Sequence, residues 1–422
     1  MFPDNFLFGS NVSDYQHFGG SECDLPKIYS VNHKKFYASD FQFIDKVGLS
    51  AFRFNIEWAR IEPKENFVDK NAIDFYHNYF SELKKHNVKT FVTLHHFTNP
   101  GWIHGYGGFA SQHIKDKFLD YVNLASKEFG NEVDYFIVFN EPMLYLYNSL
   151  IAAKLPPYGR DRFLEMEKAM KNVSQIHSDA YEIIKNNSHA SIGSVNAVSA
   201  IETGAFLKSF QEFIVRFNDR FLENVSKSMD FIGINYYVSY KNVFKKEYVT
   251  DPENLRHVLS NLYKKCGKPL FVTENGISTS DDSIKSSYLI EHIKSVEDAI
   301  EKDNVDVRGY FNWSFLHGYE WFNGFKPNFS IIDVDLDTMG RRLTKTGEIY
   351  SQIINKKTAK NFILSEEARS RLRNFNDWPF DNKVIPFDTN KNSAQNGKDV
   401  GTLSHYLKFL RRGNQSKAKN RR

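Results

Sequence analysis

Apolar and β-branched residues gather into eight short runs along the chain: Phe6–Val12, Ala51–Glu57, Lys89–His96, Asp134–Pro142, Ser191–Val198, Asp230–Tyr237, Pro269–Gly276 and Val307–Phe315. Segments such as FVTLHH and PLFVTENG are too short and too β-rich to read as helices. Most lack a clean polar alternation, as strands covered on both faces do. Helical periodicity fills the gaps, at Phe36–Val47, Ala72–His86, Ile114–Phe129, Met166–Lys185 and Ser286–Ile300, with Gly204–Val225 supplying the helix before the sixth strand. Strand alternating with helix predicts a parallel sheet. Eight such units in about 355 residues fit a closed α/β barrel, a single (β/α)8 TIM barrel, better than an open doubly wound sheet. No GxGxxG follows the first strand, which weakens a dinucleotide-binding alternative.

The last unit closes near Asn355, so residues 1–357 read as the barrel and 358–422 as an extension. The chain's net charge of +4 hides an asymmetry, because residues 356–422 carry an excess of +10 over an acidic body of −6. Such a segment is usually a solvated or docked face, not a nucleic-acid site. The extension is expected to dock in part through Trp378, Phe380 and Phe387, with a disordered end after the amphipathic stretch Leu403–Leu410. The two cysteines, Cys23 and Cys266, give no disulfide framework and no metal spacing. No signal peptide and no membrane-spanning run is apparent, which makes the cytoplasm the expected location. Aromatic residues make up 15% of the chain, with 38 Phe and 22 Tyr. Most must be core, but aromatic faces also suit sugar rings.

Polar residues stand where the strands end: Arg53 and Glu57, His95 and His96, Asn140 and Glu141, Asn235 and Tyr237, Glu274 and Asn275, and Trp313. One polar strand end is usually structural. Six converging on the C-terminal rim of a barrel point to an active site. Two ends carry an acid inside an apolar run, YFIVFNEP and PLFVTENG, and a buried carboxylate without a partner is costly. Two acids across one mouth suit glycosidic chemistry. A divalent-metal site using His95, His96 and the same acids stays open on spacing alone.

The segments FPDNFLFGSNVSDYQ, FRFNIEWARIEP, TLHHFTNPGW, FNEP, DFIGINYY, VTENG and VRGYFNWSFLHGYEW occur in this order. Over residues 1–355 this resembles glycoside hydrolase family 1, the β-glucosidase and β-galactosidase family. The resemblance implies a retaining exo-β-glycosidase acting on terminal glucosyl, galactosyl or fucosyl residues. Glu141 would be the acid/base and Glu274 the nucleophile. Arg53 would sit beside Glu274 and favour its charged form, and Tyr237 would hydrogen-bond it. Asn140 would meet the sugar 2-hydroxyl, and Gln16, His96, Glu320 and Trp321 the other hydroxyls. Trp313 would form the platform under the ring, and Asn235 and Phe329 complete the binding set. No metal and no cofactor is implied. The expected partner is a small-molecule β-glycoside or oligosaccharide, with neither nucleic acid nor membrane; oligomeric state is left open.

Several positions depart from the family pattern. Phe97 follows His96 where Trp is common, Phe18 stands where Glu is frequent, and Val138 stands where Thr usually precedes the acid/base motif. His317-Gly318 and Asn328-Phe329-Ser330 replace the usual Asp-Asn and Arg-Phe-Gly. None is a proposed catalytic group. A 6-phosphoglycoside would bring a dianion beside Glu320, so neutral sugars are expected. His95 and Tyr236 read as core, Trp58 and Trp102 as packing, Glu57 with Arg60 as a plain ion pair, and Asp282 with Lys285 as a structural one. Two alternatives remain: a weakly active or inactive sugar-binding relative, against which stand both glutamates with Arg53 and Tyr237, and a metal-dependent hydrolase, disfavoured because no His-x-His follows the first strand.

Overall fold

The computed structural model describes residues 1–198, 208–242 and 247–375. Eight parallel strands close into a barrel in chain order: β1 (Leu7–Asn11), β2 (Ala51–Asn55), β3 (Lys89–His95), β4 (Tyr135–Asn140), β5 (Ser191–Ala197), β6 (Phe231–Asn235), β7 (Leu270–Asn275) and β8 (Val307–Asn312), with β8 pairing back to β1. Helices cover the outside. His33–Asp40 and Gln42–Val47 divide the predicted Phe36–Val47 at Phe41, and Lys70–Lys84, Gln112–Phe129, Phe163–Asn187, Lys208–Val225 and Asp282–Asp303 overlap the other predicted ones. The sequence reading omits Pro252–Cys266, between β6 and β7. Its ends are written in the chain: Asp251 accepts hydrogen bonds from the amides of Glu253 and Asn254, Pro252 opens the first turn, and Gly267 ends the helix at φ 61°.

The barrel interior is plugged by aromatic rings. Phe91, Phe231, Phe271 and Phe311 cluster there with Ala51, Ile137 and Val195. Phe91 stacks on Tyr135 at 4.1 Å and meets Phe311 edge-on at 4.7 Å. Gly9 makes this possible, since a Cβ there would lie 2.3 Å from the Phe311 ring. The plug forms a dry floor, and the next inward residues towards the strand C-termini are polar: Asn11, Arg53, Thr93, Asn235 and Thr273.

Strand alternation alone does not place the acids. Ile137 belongs to the interior cluster, yet Phe139 packs outward on Phe118 at 5.2 Å. A register shift against β5 between Ile137 and Asn140 changes the phase, so Asn140 turns inward. A second shift, between β6 and β7, pairs Asn235 with Glu274 and lets Thr273 and Glu274 both face the mouth. Asn275 then points outward, donating to the hydroxyl of Tyr288.

Past the helix Lys345–Lys356, the helix Glu366–Arg373 buries Leu372 against Ile277 and Tyr288. Thr250 donates to the Leu372 carbonyl at 2.6 Å, and Arg371 pairs with Asp281. Trp378, Phe380, Phe387 and Leu403–Leu410 lie outside the described residues. Among the described residues no helix is long and apolar enough to cross a membrane.

Candidate active site

Arg53, at the third position of β2, rises from the floor and is 1% exposed. Its Nη1 donates to Oε1 of Glu274 at 2.6 Å and its Nη2 to Oδ1 of Asn140 at 2.6 Å. Nε donates to Thr93 Oγ1 at 3.2 Å, which fixes the plane of the fork. Tyr237 donates to the other oxygen of Glu274 at 2.6 Å. Glu274 therefore sits between a cation and a phenol.

Glu141 has different surroundings. Its hydrogen-bond donor is neutral: Asn235 Nδ2 donates to Oε1 at 2.8 Å and also reaches Asn140 Oδ1 at 3.2 Å. Thr273 donates to Asn235 Oδ1 at 2.8 Å, which orients that amide. Burial, followed by the charge of Glu274, pushes Glu141 up to about 8. Its backbone is left-handed, φ 47°, at the entrance to the helix Pro142–Leu150. One hydrogen-bonded path thus runs from Glu274 through Arg53, Asn140 and Asn235 to Glu141.

A second set lies beside it. Both oxygens of Glu320 accept hydrogen bonds, Oε1 from Trp313 Nε1 at 3.0 Å and Oε2 from Gln16 Nε2 at 3.1 Å. Ser13 donates to Gln16 Oε1 at 2.7 Å. Burial raises Glu320 to about 8. His96 is near-parallel to two indoles, Trp313 at 6.2 Å and Trp321 at 6.0 Å, and Tyr15 stacks on Trp321 at 5.6 Å. Asn140 Nδ2 donates to His96 Nε2 at 3.4 Å, which puts the ring proton on Nδ1. Burial and the Arg53 charge hold His96 well below the usual histidine range, in the neutral form. Phe329 meets the Tyr237 ring edge-on at 5.8 Å. The sequence-derived residues thus fall into two adjoining groups: Arg53, Asn140, Glu141, Asn235, Tyr237 and Glu274, and Gln16, His96, Trp313, Glu320 and Trp321, with Phe329 against the first.

The structure corrects two expected pairs. Arg60 does not form a plain pair with Glu57 but grips buried Asp14 with two nitrogens at 2.7 and 3.0 Å, because Asp14 sits beside it on the turn after β1. Lys285 does not bridge to Asp282. It lies buried under the 328–330 loop, donating to Asn328 Oδ1 and the Ser330 carbonyl, while Asp282 turns to Thr346. Burial lowers Lys285 to about 8. His95 packs outward against Phe118 and Phe139, and Tyr236 is fully buried. Trp102 meets Trp58 edge-on and donates to the Glu62 carbonyl.

Sequence reasoning missed several supports. Thr93 and Thr273 share the inward phase of Phe91 and Phe271, and that phase is the signal that could have found them. His17 lies edge-on to Trp313 at 5.8 Å and reaches the Leu316 carbonyl at 3.1 Å. Gly318 makes room for it, since a Cβ there would lie 2.3 Å from His17 Nε2. The unusual His317-Gly318 step thus leaves room for the His17 ring. Phe18, in place of the common Glu, fills a core of His33, Phe75 and Tyr79.

The chain is similar to known proteins over most of its length. It is 25% identical to Beta-glucosidase 24 of Arabidopsis thaliana, with 87% of this chain and 92% of that protein aligned. It is 24% identical to a 6-phospho-beta-galactosidase of Staphylococcus haemolyticus, over 85% of this chain and 99% of that one. Among solved structures, a beta-glycosidase from Pyrococcus horikoshii superposes with a TM-score of 0.77 and 30% identity, covering 88% of this chain and 97% of that one. The profile of glycosyl hydrolase family 1 matches residues 27–205 and 240–359. The chain belongs to glycosyl hydrolase family 1 and is a β-glycosidase built on a closed eight-stranded barrel.

Proposed function

We propose that the chain is a retaining exo-β-glycosidase that removes terminal β-D-glucosyl, galactosyl or fucosyl residues by double displacement. The reading rests on one contrast. Glu274 is held by Arg53 and Tyr237, a setting for an ionised nucleophile, whereas buried Glu141 has a neutral amide partner and is raised to about 8. Two carboxyls in such different surroundings divide the roles of nucleophile and acid.

In the first step Glu274 attacks the anomeric carbon, and Glu141 gives its proton to the departing glycosidic oxygen. The C–O bond to the aglycone breaks and an ester to Glu274 forms, so the carboxylate charge beside Glu141 disappears. Glu141, now the base, takes a proton from water as the water oxygen attacks the anomeric carbon. The sugar leaves with its configuration retained and Glu274 is released. Trp313 would form the platform under the sugar ring, and Gln16, His96, Glu320 and Trp321 would meet its hydroxyls.

Neutral sugars fit better than phosphorylated ones, even though some relatives are named 6-phospho-beta-galactosidases. Buried Glu320 would face the phosphate dianion in a dry cleft. A panel of nitrophenyl glycosides, assayed with and without EDTA, tests the reading. Hydrolysis of a neutral β-glycoside, unaffected by EDTA, is expected. No turnover would favour a sugar-binding relative, and loss in EDTA restored by a divalent ion would favour a metal-dependent hydrolase.

A further inference from the structure

Glu57 is a buried acid that the proposed reaction does not use. It is 1% exposed, and burial together with the nearby charge of Asp14 pushes it up to about 8. Its simplest role is to cap the short helix Trp58–Ile61, where Oε1 accepts from the Ala59 amide at 3.3 Å. A cap uses one oxygen, and a shorter side chain such as Ser or Asp serves it well. The other oxygen is engaged elsewhere. Oε2 accepts from Thr98 Oγ1 at 2.7 Å and from Asn55 Nδ2 at 3.2 Å.

Both contacts lead to the sugar site. Thr98 follows His96 by two residues, across Phe97, whose φ of 70° is unfavourable for a side chain with a Cβ. Such a conformation persists only where its surroundings over-determine it. The far end of this turn is fastened by a second, half-buried acid: Asp24 accepts from the Asn99 amide at 3.0 Å and from Asn99 Nδ2 at 2.8 Å. Asn55, the partner of Glu57, accepts from the Asp14 amide at 2.6 Å, at the start of the turn that carries Gln16. The two turns that present His96 and Gln16 therefore meet at Asn55 and Glu57.

We propose that Glu57 is a positioning residue of the sugar site, holding the left-handed turn at Phe97 through Thr98 and thereby setting where His96 meets the sugar. The inference rests on the glycosidase reading above. Glu57 touches no reacting atom in it. The effect belongs to sugar binding, so it is independent of the leaving group.

The test is Thr98→Val, which keeps the shape of the side chain and removes the hydroxyl, beside Thr98→Ser, which keeps the hydroxyl. Kinetics use the nitrophenyl glycoside that wild type turns over fastest. Thr98→Val is expected to raise KM about tenfold, the effect of one lost buried hydrogen bond, with a much smaller change in kcat. The inhibition constant of the free sugar should rise in parallel, and Thr98→Ser should stay close to wild type. Glu57→Gln combined with Thr98→Val should weaken sugar binding less than the two single effects multiplied. A folded Thr98→Val protein with wild-type KM overturns the proposal. If Thr98→Val does not fold, Glu57→Gln alone decides: a raised KM supports the proposal and an unchanged KM overturns it. Failure of both to fold overturns it too, making the pair part of the core. Absence of any glycoside hydrolysis by wild type would instead overturn the glycosidase reading.

Discussion

Nη1 of Arg53 lies 2.6 Å from Oε1 of Glu274, and both side chains are buried, with exposures of 2% and 6%. Removing one partner from such a pair leaves an uncompensated charge in a dry site, at a cost of about 3–5 kcal/mol. Arg53→Met is therefore expected to destabilise the fold by about that amount and to suppress turnover. Denaturant unfolding at neutral pH checks the first part and steady-state kinetics the second. Wild-type stability together with wild-type turnover would contradict the assigned contact.

Stability should fall as pH rises. Glu141 keeps its proton in the folded chain up to about 8, whereas the usual carboxyl value is 4.5. Between these values the unfolded chain binds fewer protons than the folded one. This contribution to stability is complete below 4.5, declines through the interval, and is gone above about 8. Glu320, raised for the same reason, acts in the same direction. Glu141→Gln should flatten the decline of Tm between pH 5 and 8, roughly that window. An unchanged slope would show that Glu141 is not held protonated.

Glu320 should govern the discrimination against charge. Wild type is expected to turn over a neutral nitrophenyl β-glycoside and to reject its 6-phosphate. Glu320→Ser, which removes the carboxyl group, should weaken activity on the neutral sugar because Trp313 Nε1 and Gln16 Nε2 lose their acceptor. It should also narrow the preference between the two substrates by about tenfold or more. An unchanged preference would place the discrimination elsewhere.

Much of this was legible in the chain. Each of the eight predicted runs overlaps a barrel strand, because doubly covered strands leave dense β-branched runs between amphipathic helices. The strand-end residues were legible as a rim. Their pairings were not. Phe139 and Asn140 change sides at a register shift, and no feature of VFNEP announces it. Arg60 has an acid three residues away in Glu57, yet Asp14, 46 positions away in sequence, receives it. The glycine at Gly318 makes sense only when the fold brings it against His17. Glu57 reads in sequence as half of a plain ion pair, and only the distance to Thr98 shows what its second oxygen holds. Local pattern reports which residues face a core, while contacts between distant segments decide what they face.

The division of labour between Glu274 and Glu141 is the central claim, and azide reads it directly. Without its nucleophile, Glu274→Ala should lose nearly all hydrolysis, and azide occupying the vacated side should attack the β-glycoside to give an α-glycosyl azide. Glu141→Ala should still form the glycosyl-enzyme from substrates with good leaving groups, which need little protonation. Azide then attacks that intermediate and yields a β-glycosyl azide. NMR of the two azide products is the decisive measurement: an α product from Glu274→Ala and a β product from Glu141→Ala are predicted, and the reverse pairing would exchange the two roles and contradict the account.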